Sequence, residues 1–582
     1  MATFTVTNTN NSGAGSLRQE ILDANALTGK NIINFSGLFN DGLAHTISLT
    51  SSGLSITDNL TIEGTNPNLL TIKDDSATRV FDIAKGATAT INGLTITNSY
   101  KGTGGGGAIS NEGVFTLNNS IITGNTAEFV GNNDIYLVYP GSGGGIYNTG
   151  TLTVNYSTFT NNTAESGSSR YSSVGGGGGI YNDGTLTVNH STLNNNTAEL
   201  VNSSYDQGGG GIYNGGTLTV NYSILNNNTA ESGSSSSQEG GGGIYNGGTL
   251  TVNYSTLNNN TAESGSSSSQ DGGGGIYNGG TLTVNYSTLN NNTAEFGNSS
   301  YNYDGGGGIY NGGTLVMVSH STLNNNTVEF GNSSYNYGGG GGIYNGSDLT
   351  VNYSTLNNNT AEFGNSSYDQ GGGGIYNSAT LTVNYSTLNN NTAESGSSSS
   401  GEGGGGFLKD GGGGIYNDGG GLTVNYSTLN NNTAESGSSS GGGGGGIYTQ
   451  QTGQQQGSSG GSSPYLYGFI TVSHSSISGN QAHFGGGIYN DGSTLKVGNS
   501  TIKQNRAFGI ELSSSNYESG EGGGIYFTTE SGNFLRFTPD TTTLDYSTIA
   551  CNFDTPLEDS TKFIKLDNVA GKFINKGSLV EV

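Results

Sequence analysis

From Gly240 to Asp271 the chain reads GGGGIYNGGTLTVNYSTLNNNTAESGSSSSQD, and nearly the same pattern of apolar and polar positions starts again at Gly272. Within this unit Thr249-Leu250-Thr251-Val252 alternates polar and apolar, the period of a strand with one buried face. GIYN is predicted as a second short strand with its Ile inward. STLNNNT is a third, with Leu257 inward and Asn residues at its corner. A helical period is absent and Gly is too frequent for helical repeats.

The isoleucines that follow each glycine run fix the period. Ile109, Ile146, Ile180, Ile212, Ile244, Ile276, Ile309, Ile343, Ile375, Ile415, Ile447, Ile488 and Ile525 lie 32 to 41 residues apart. From such an Ile to the acid of the following TAE or TVE motif is 19 residues in most copies, as from Ile244 to Glu263. It is 20 in the copies containing LVMVSH and GGGLTV. Length therefore varies mainly between that acid and the next glycine run. Three strands per repeat, with Gly and Asn corners, describe one rung of a single-stranded parallel β-helix (β-solenoid), all-β, with rungs about 4.8 Å apart. Glycines before each Ile are expected to supply positive φ and close packing. Asn is expected to take left-handed bends and to stack its amides along the column. A six-residue period is missing, which argues against a left-handed hexapeptide helix. A propeller calls for larger blades.

An open β-helix exposes its end, so caps are expected. After a strand over 3–8, Ser16 and Gln19 in SLRQEILDANAL form a capping-box pattern, and Leu17, Ile21, Leu22 and Ala24 make an apolar stripe for a short capping helix. Irregular strands follow in NIINF, HTISL, LSITDNLTIEG, VFDIA and ATATINGLTITN. The chain thus divides into an N-terminal cap with irregular first rungs (1–105), a repetitive body (106–527), and a last rung with a C-terminal cap rich in Lys (528–582).

Composition narrows the function. The chain has 582 residues with 107 Gly, no Trp, 30% hydrophobic and only 10% charged residues, little for compact globular domains of this size. Its 33 Tyr, 20 Phe and regularly recurring Thr, Val and Ile equally distinguish it from a disordered chain. The net charge is −26, and between Tyr171 and Leu495 the only Lys or Arg is Lys409. Neither nucleic acid nor an anionic membrane surface is an expected partner. Cys551 stands alone, which rules out an intrachain disulfide framework. The opening MATFTVTNTNNSG shows no basic or apolar leader region, so an N-terminal signal peptide is not expected, and no apolar run is long enough for a spanning helix.

The opening TFTVTNTNNSGAGSLRQEILDANA, the GGGIYN–TLTVNYSTLNNNTA unit and the closing NFDTP–DNVAGKFI resemble bacterial, especially cyanobacterial, right-handed β-helix repeat proteins over nearly the whole chain. The GGxI and [LIF]xxN pair, at Gly106, Ile109, Leu193 and Asn196, is also similar to the repeats of chlamydial polymorphic outer-membrane proteins. The resemblance implies a right-handed parallel β-helix and a glycine-rich protein of the cell surface or exterior. It is specific for fold and weak for activity.

Many right-handed β-helices cleave polysaccharides with paired carboxylates, or with Ca²⁺ and a base. Here only Lys503 and Arg506 lie beside a rung, and near-identical rungs do not gather the unlike groups a catalytic site needs. An enzyme is not expected. His190, His320 and His474 replace the Tyr of NYST and read as members of an aromatic column, without a ligand set for metal. The TAE glutamates Glu165, Glu199, Glu231, Glu263 and Glu295 are expected to stack, repelling by about 1 kcal/mol or less in water. Asp206, Glu239, Asp271 and Asp304 supply a second acid across the loop. Glu231, Glu239, Glu263 and Asp271 are therefore candidate Ca²⁺ ligands, the competing role being solubility of a charged loop. Outward Thr217, Thr219, Thr249, Thr251, Thr281 and Thr283 form an array like that of ice-binding solenoids, although Thr suits any exposed strand and Val316, Gly421 and Lys496 interrupt the array. The expected function is non-enzymatic: a rigid extracellular β-helical rod acting in adhesion, surface coat or a filament assembled end to end. The alternative is a polysaccharide-binding or polysaccharide-degrading β-helix using loop residues Tyr205, Tyr301, Tyr303, Tyr335 and Tyr337.

Overall fold

The repeat pattern closes into a right-handed parallel β-helix. The computed structural model describes the chain except residues 103–104, 130–141, 167–172, 201–204, 233–237, 266–269, 299–300, 303, 315, 334, 337, 366–368, 396–408, 436–442, 451–467, 492, 509, 514–515, 519–522, 529–542, 546, 551, 555–564, 567–568, 571–573, 576–579 and 582. It falls into two units, Met1–Thr288 and Leu289–Val582.

In the first unit a regular rung has five strands rather than the three expected: Gln238–Gly241, Ile244–Asn246, Thr249–Asn253, Thr256–Asn258 and Thr261–Ser264. The two additional strands are the glycine run and the TAE motif. Both were hidden in sequence because neither carries enough apolar alternation to show a period of two. Every strand pairs in parallel with its counterpart one repeat on, as in Ile244↔Ile276, Leu250↔Leu282 and Glu231↔Glu263. The second unit repeats the order with Asp369–Gly372, Ile375–Asn377, Leu381–Asn384, Thr387–Asn389 and Thr392–Glu394.

Self-registration turns each residue position into a column. Ile244, Leu250, Val252, Leu257 and Ala262 of one rung are buried, as are their equivalents above and below. Burial of each large side chain contributes roughly 1.5–3 kcal/mol. In the second unit Phe296, Phe330 and Phe363 add a further buried column beside Ala294, Val328 and Ala361. The first unit has Ser232 and Ser264 at the matching place in its TAES strands.

Two buried amide columns accompany the apolar ones. Asn214 Nδ2 donates to Asn246 Oδ1 (2.7 Å), and Asn246 Nδ2 to Asn278 Oδ1 (2.7 Å). On another corner the Asn228 side chain and backbone N–H both donate to Asn260 Oδ1, at 3.0 and 3.1 Å, and Asn228 Nδ2 also reaches Leu193 O at 2.9 Å. A buried amide left unpartnered costs about 1–3 kcal/mol, so the expected amide stacking is what makes these asparagines tolerable inside.

The glycines act differently from expectation. None of Gly241, Gly242 and Gly243 has positive φ. A Cβ on Gly241 would lie 2.0 Å from Ile244 O, and one on Gly242 2.3 Å from Gly274 O. In this run glycine is needed because backbones approach too closely for any side chain, while the left-handed corners of the regular rungs are held mainly by Asn, Tyr and His.

At the N-terminus, strand Thr3–Val6 leads into helix Leu17–Asn25, whose N-cap Ser16 accepts a hydrogen bond from the Gln19 N–H. The reciprocal half of the capping box is missing, because Gln19 Nε2 donates to Asp23 Oδ1 instead (2.8 Å). Leu17, Ile21 and Ala24 are buried, whereas Leu22 points to solvent. Arg18 ties the helix to the following strands by donating to Gly53 O at 3.0 Å and Ser52 O at 2.6 Å. The irregular strands appear where expected, with one more at Leu70–Asp74. The segment expected as a C-terminal cap lies largely outside the described residues, although Ile549 is buried and Asn552 continues the amide column from Asn505.

Candidate functional site, an exposed aromatic column

Each regular rung turns twice through left-handed backbone. At one corner stand Asn161, Asn195, Asn227 and Asn259, with φ from 52 to 54°. Asn tolerates this region because its short polar side chain bonds locally. The other corner holds Tyr156, His190, Tyr222, Tyr254 and Tyr286, with φ from 48 to 50°. In the preceding rungs Gly93 and Asn119 take that corner, also at positive φ. An aromatic residue held there costs on the order of 1–3 kcal/mol, and here the cost recurs rung after rung. Stacking offsets part of it, at about 0.5–1.5 kcal/mol per ring pair. Tyr222–Tyr254 and Tyr254–Tyr286 centroids are both 4.9 Å apart, with interplanar angles of 5° and 7°. His190 stacks between Tyr156 and Tyr222 at 5.0 Å from each, which bears out its assignment to an aromatic column.

The rings stand at the surface; Tyr254 and Tyr286 are each 50% exposed. Beside them runs an outward amide column in which Asn221 Nδ2 donates to Asn189 Oδ1 and Asn253 Nδ2 to Asn221 Oδ1, both at 3.0 Å. Beyond it lie the expected threonine columns, in register as Thr217↔Thr249↔Thr281 and Thr219↔Thr251↔Thr283. The second unit has the same corner, with His320, Tyr353, Tyr385, Tyr426 and His474 at φ from 48 to 50°. There Tyr353–Tyr385 and Tyr385–Tyr426 stack at 4.8 and 4.9 Å.

A second tyrosine column comes from GIYN and is buried, except that Tyr213 is partly exposed. Tyr181, Tyr213, Tyr245 and Tyr277 stack at 4.6 to 4.9 Å. Their hydroxyls meet polar groups: Tyr181 donates to Asp183 Oδ2 (3.0 Å), Tyr213 to Gln207 Oε1 (3.2 Å) and Tyr245 to Glu239 Oε2 (2.9 Å). Burial, then the charges of Asp183 and Glu112, pushes the Tyr147 phenol up to about 12. Burial with Asp183 and Glu239 does the same for Tyr213, again to about 12. Tyr181 and Tyr245 are driven higher still, burial being the main cause.

The candidate Ca²⁺ residues divide between two columns. Glu231 and Glu263 stack in the TAE column, and Glu239 and Asp271 pair in the glycine strand. Glu239 is engaged by Tyr245 and by Gln207 Nε2 (2.9 Å). Among the described residues no group of three or more His, Cys, Asp and Glu side chains is placed to hold one ion. Asp206 pairs with Gln238, one position out of the Glu239 column, where Gln207 stands instead. Asp304 takes the Gly338 N–H (3.0 Å) and the Tyr344 hydroxyl, and burial pushes its carboxyl up to about 6. In the TAE column burial raises Glu165 and Glu231 more than the adjoining glutamates do. Lys503 and Arg506 are exposed. The side chains of Tyr205, Tyr301, Tyr303, Tyr335 and Tyr337 lie outside the described residues. The NYST tyrosines were missed as a surface feature because their signal, an aromatic where a turn favours Asn, is visible only once φ is known.

Residues 156–183 match the Chlamydia polymorphic membrane protein repeat. No curated protein sequence matches the chain. Among solved structures, the A-module of the Azotobacter vinelandii mannuronan C-5 epimerase AlgE6 is 12% identical, covering 94% of this chain and 98% of its own, at a TM-score of 0.22. The A-module of AlgE4 from the same organism is also 12% identical, covering 85% and 94%, at 0.24. The PL6 family alginate lyase AlyGC is 9% identical, covering 99% and 89%, at 0.19. Scores this low carry nothing about chemistry.

Proposed function

We propose that the chain is a non-enzymatic structural protein of the cell surface or exterior, its β-helix serving adhesion, a surface coat or a filament built by end-to-end association. The supporting observation is that successive regular rungs present the same outward columns in self-register, Thr217↔Thr249↔Thr281 and Glu231↔Glu263 among them. Repetition of that kind multiplies one surface, whereas catalysis calls for unlike groups converging at one place. The repeat match over 156–183 is in keeping with a surface location. Parallel strand edges at the ends of a β-helix are suited to strand addition by another copy.

Two measurements test this. Protease treatment of intact cells should release peptides of the repeat, and release only after lysis overturns the surface assignment. Electron microscopy of the purified protein should show fibres, and separate particles at every concentration remove the filament. A polysaccharide partner, the competing possibility, predicts retention on a glycan array.

A further inference from the structure

The two tyrosine columns differ in what a reagent from solution can reach, and the exposed one has a geometry with a chemical consequence. Its rings lie nearly parallel at 4.8 to 4.9 Å, so their faces are covered by each other and only their outer edges and hydroxyls meet solvent. A sugar ring needs an open aromatic face, which rings stacked on both sides, such as Tyr254 and Tyr385, do not offer. It offers phenols in adjacent pairs, each fixed beside its neighbour by a backbone turn that does not drift.

We propose that this column is a site of oxidative tyrosine cross-linking which joins consecutive rungs covalently, at Tyr222–Tyr254, Tyr254–Tyr286, Tyr353–Tyr385 and Tyr385–Tyr426. The oxidant is a peroxide acting through a haem peroxidase. Each of two neighbouring phenols loses one electron and its hydroxyl proton, giving two phenoxyl radicals with spin density on the carbons ortho to oxygen. One ortho carbon of each ring forms the new carbon–carbon bond. The two hydrogens on those carbons then move to the oxygens, which restores both phenols. The peroxide accepts two electrons and two protons and leaves as two waters.

Three features place the reaction here. The rings are half exposed, with Tyr222 and Tyr353 at 54%, so their edges can lean together and the oxidant can reach them. The partner is already adjacent when the first radical forms. His190 separates Tyr156 from Tyr222 in the column, which ends the reactive run and fixes which pairs couple. The buried column, with Tyr245 only 4% exposed and its hydroxyl donated to Glu239, stays out of reach.

The test uses the full chain, hydrogen peroxide and a haem peroxidase, followed by denaturing electrophoresis, dityrosine fluorescence of the monomer band and mass spectrometry of its peptides. The monomer band should gain dityrosine fluorescence, with cross-linked peptides confined to the four pairs. The double variant Tyr254→Phe/Tyr385→Phe keeps the ring stack but removes one phenol from every pair, and its monomer should lose the signal. Three results overturn the proposal: a wild-type monomer without dityrosine where free tyrosine couples, cross-links found only between chains or at loop tyrosines such as Tyr205, or an undiminished signal in the double variant.

Discussion

Tyr245 and Tyr254 stand nine residues apart in one rung, and the chain uses the same side chain for opposite purposes. Tyr245 is buried on a strand, stacked at 4.8 and 4.9 Å, with its hydroxyl on a carboxylate. Tyr254 is half exposed in a left-handed turn that Asn fills at the rung's other corner. Stacking distance is the same in both. The difference lies in what the ring gives up: water in the first case, backbone comfort in the second. Only a ring that gives up water contributes much to stability; the other is bought at a local cost and points to use at the surface.

The largest contrast is expected from truncation. Tyr245→Ala should lower stability by roughly 3–5 kcal/mol, as for other large aromatics removed from a core. Tyr254→Asn should stay within about 1 kcal/mol of wild type, because relief of the turn offsets lost stacking. Chemical denaturation of the two variants measures this, and equal losses would erase the distinction. Removing only the hydroxyls sharpens it. Tyr245→Phe should cost about 1.5–3 kcal/mol for a hydrogen bond to a charged group. Tyr254→Phe should change stability by no more than about 0.5 kcal/mol, like most surface substitutions.

Alkali separates the columns by titration. The phenols of Tyr147 and Tyr213 are held up to about 12, so the unfolded chain releases these protons first, from about pH 10. Folding favours the protonated form, and stability should fall as pH climbs from about 10 toward 12. An absorbance titration in the tyrosinate band should show a class of tyrosines that ionises only there. The smallest effect belongs to the acids. Glu165, Glu231, Glu329 and Glu394 are raised, mainly by burial and then by stacked glutamates. Their folded forms hold protons that the unfolded chain has released, so stability is greater below the carboxylate range and is lost as pH rises through it. The melting temperature should therefore rise modestly from pH 7 toward 5. Added salt at pH 7 should reproduce the part due to repulsion.

Much of this was legible in the residues. TLTV alternation places Leu250 and Val252 inside, and the spacing of Ile244 and Ile276 sets the rung. NNNT announces one of the two buried amide columns, that of Asn228 and Asn260, while the GIYN column of Asn214 and Asn246 has no such signal. Ser16 caps the helix as its place in the sequence predicts, while Gln19 turns to Asp23, one helical turn on. The role of glycine is ambiguous in the sequence for a physical reason. Gly242 could stand for freedom of φ or for absence of bulk, and only the 2.3 Å approach to Gly274 O tells these apart. The acid columns were misaligned by one residue at Asp206, since loop length does not reveal register. The NYST motif reveals an aromatic column, whereas its strain shows only in the positive φ of Tyr254 and its equivalents.

The amide columns carry a last consequence. Asn214 and Asn246 each make the same bond to the next Asn of the column, and the amide column by itself cannot tell one repeat from the next. Within such a stretch, slippage by a whole repeat costs the amide column nothing, and only the differing polar partners, such as Gln207 under Tyr213 and Glu239 under Tyr245, resist it. Position must be counted from where the sequence is unique, and the helix at Leu17–Asn25 with Arg18 clasped to Ser52 and Gly53 is such a place. A nascent chain that sets this origin first and winds onward has one register available, whereas refolding from the middle has several. The same degeneracy lets a gene gain or lose copies by unequal recombination and still encode a fold.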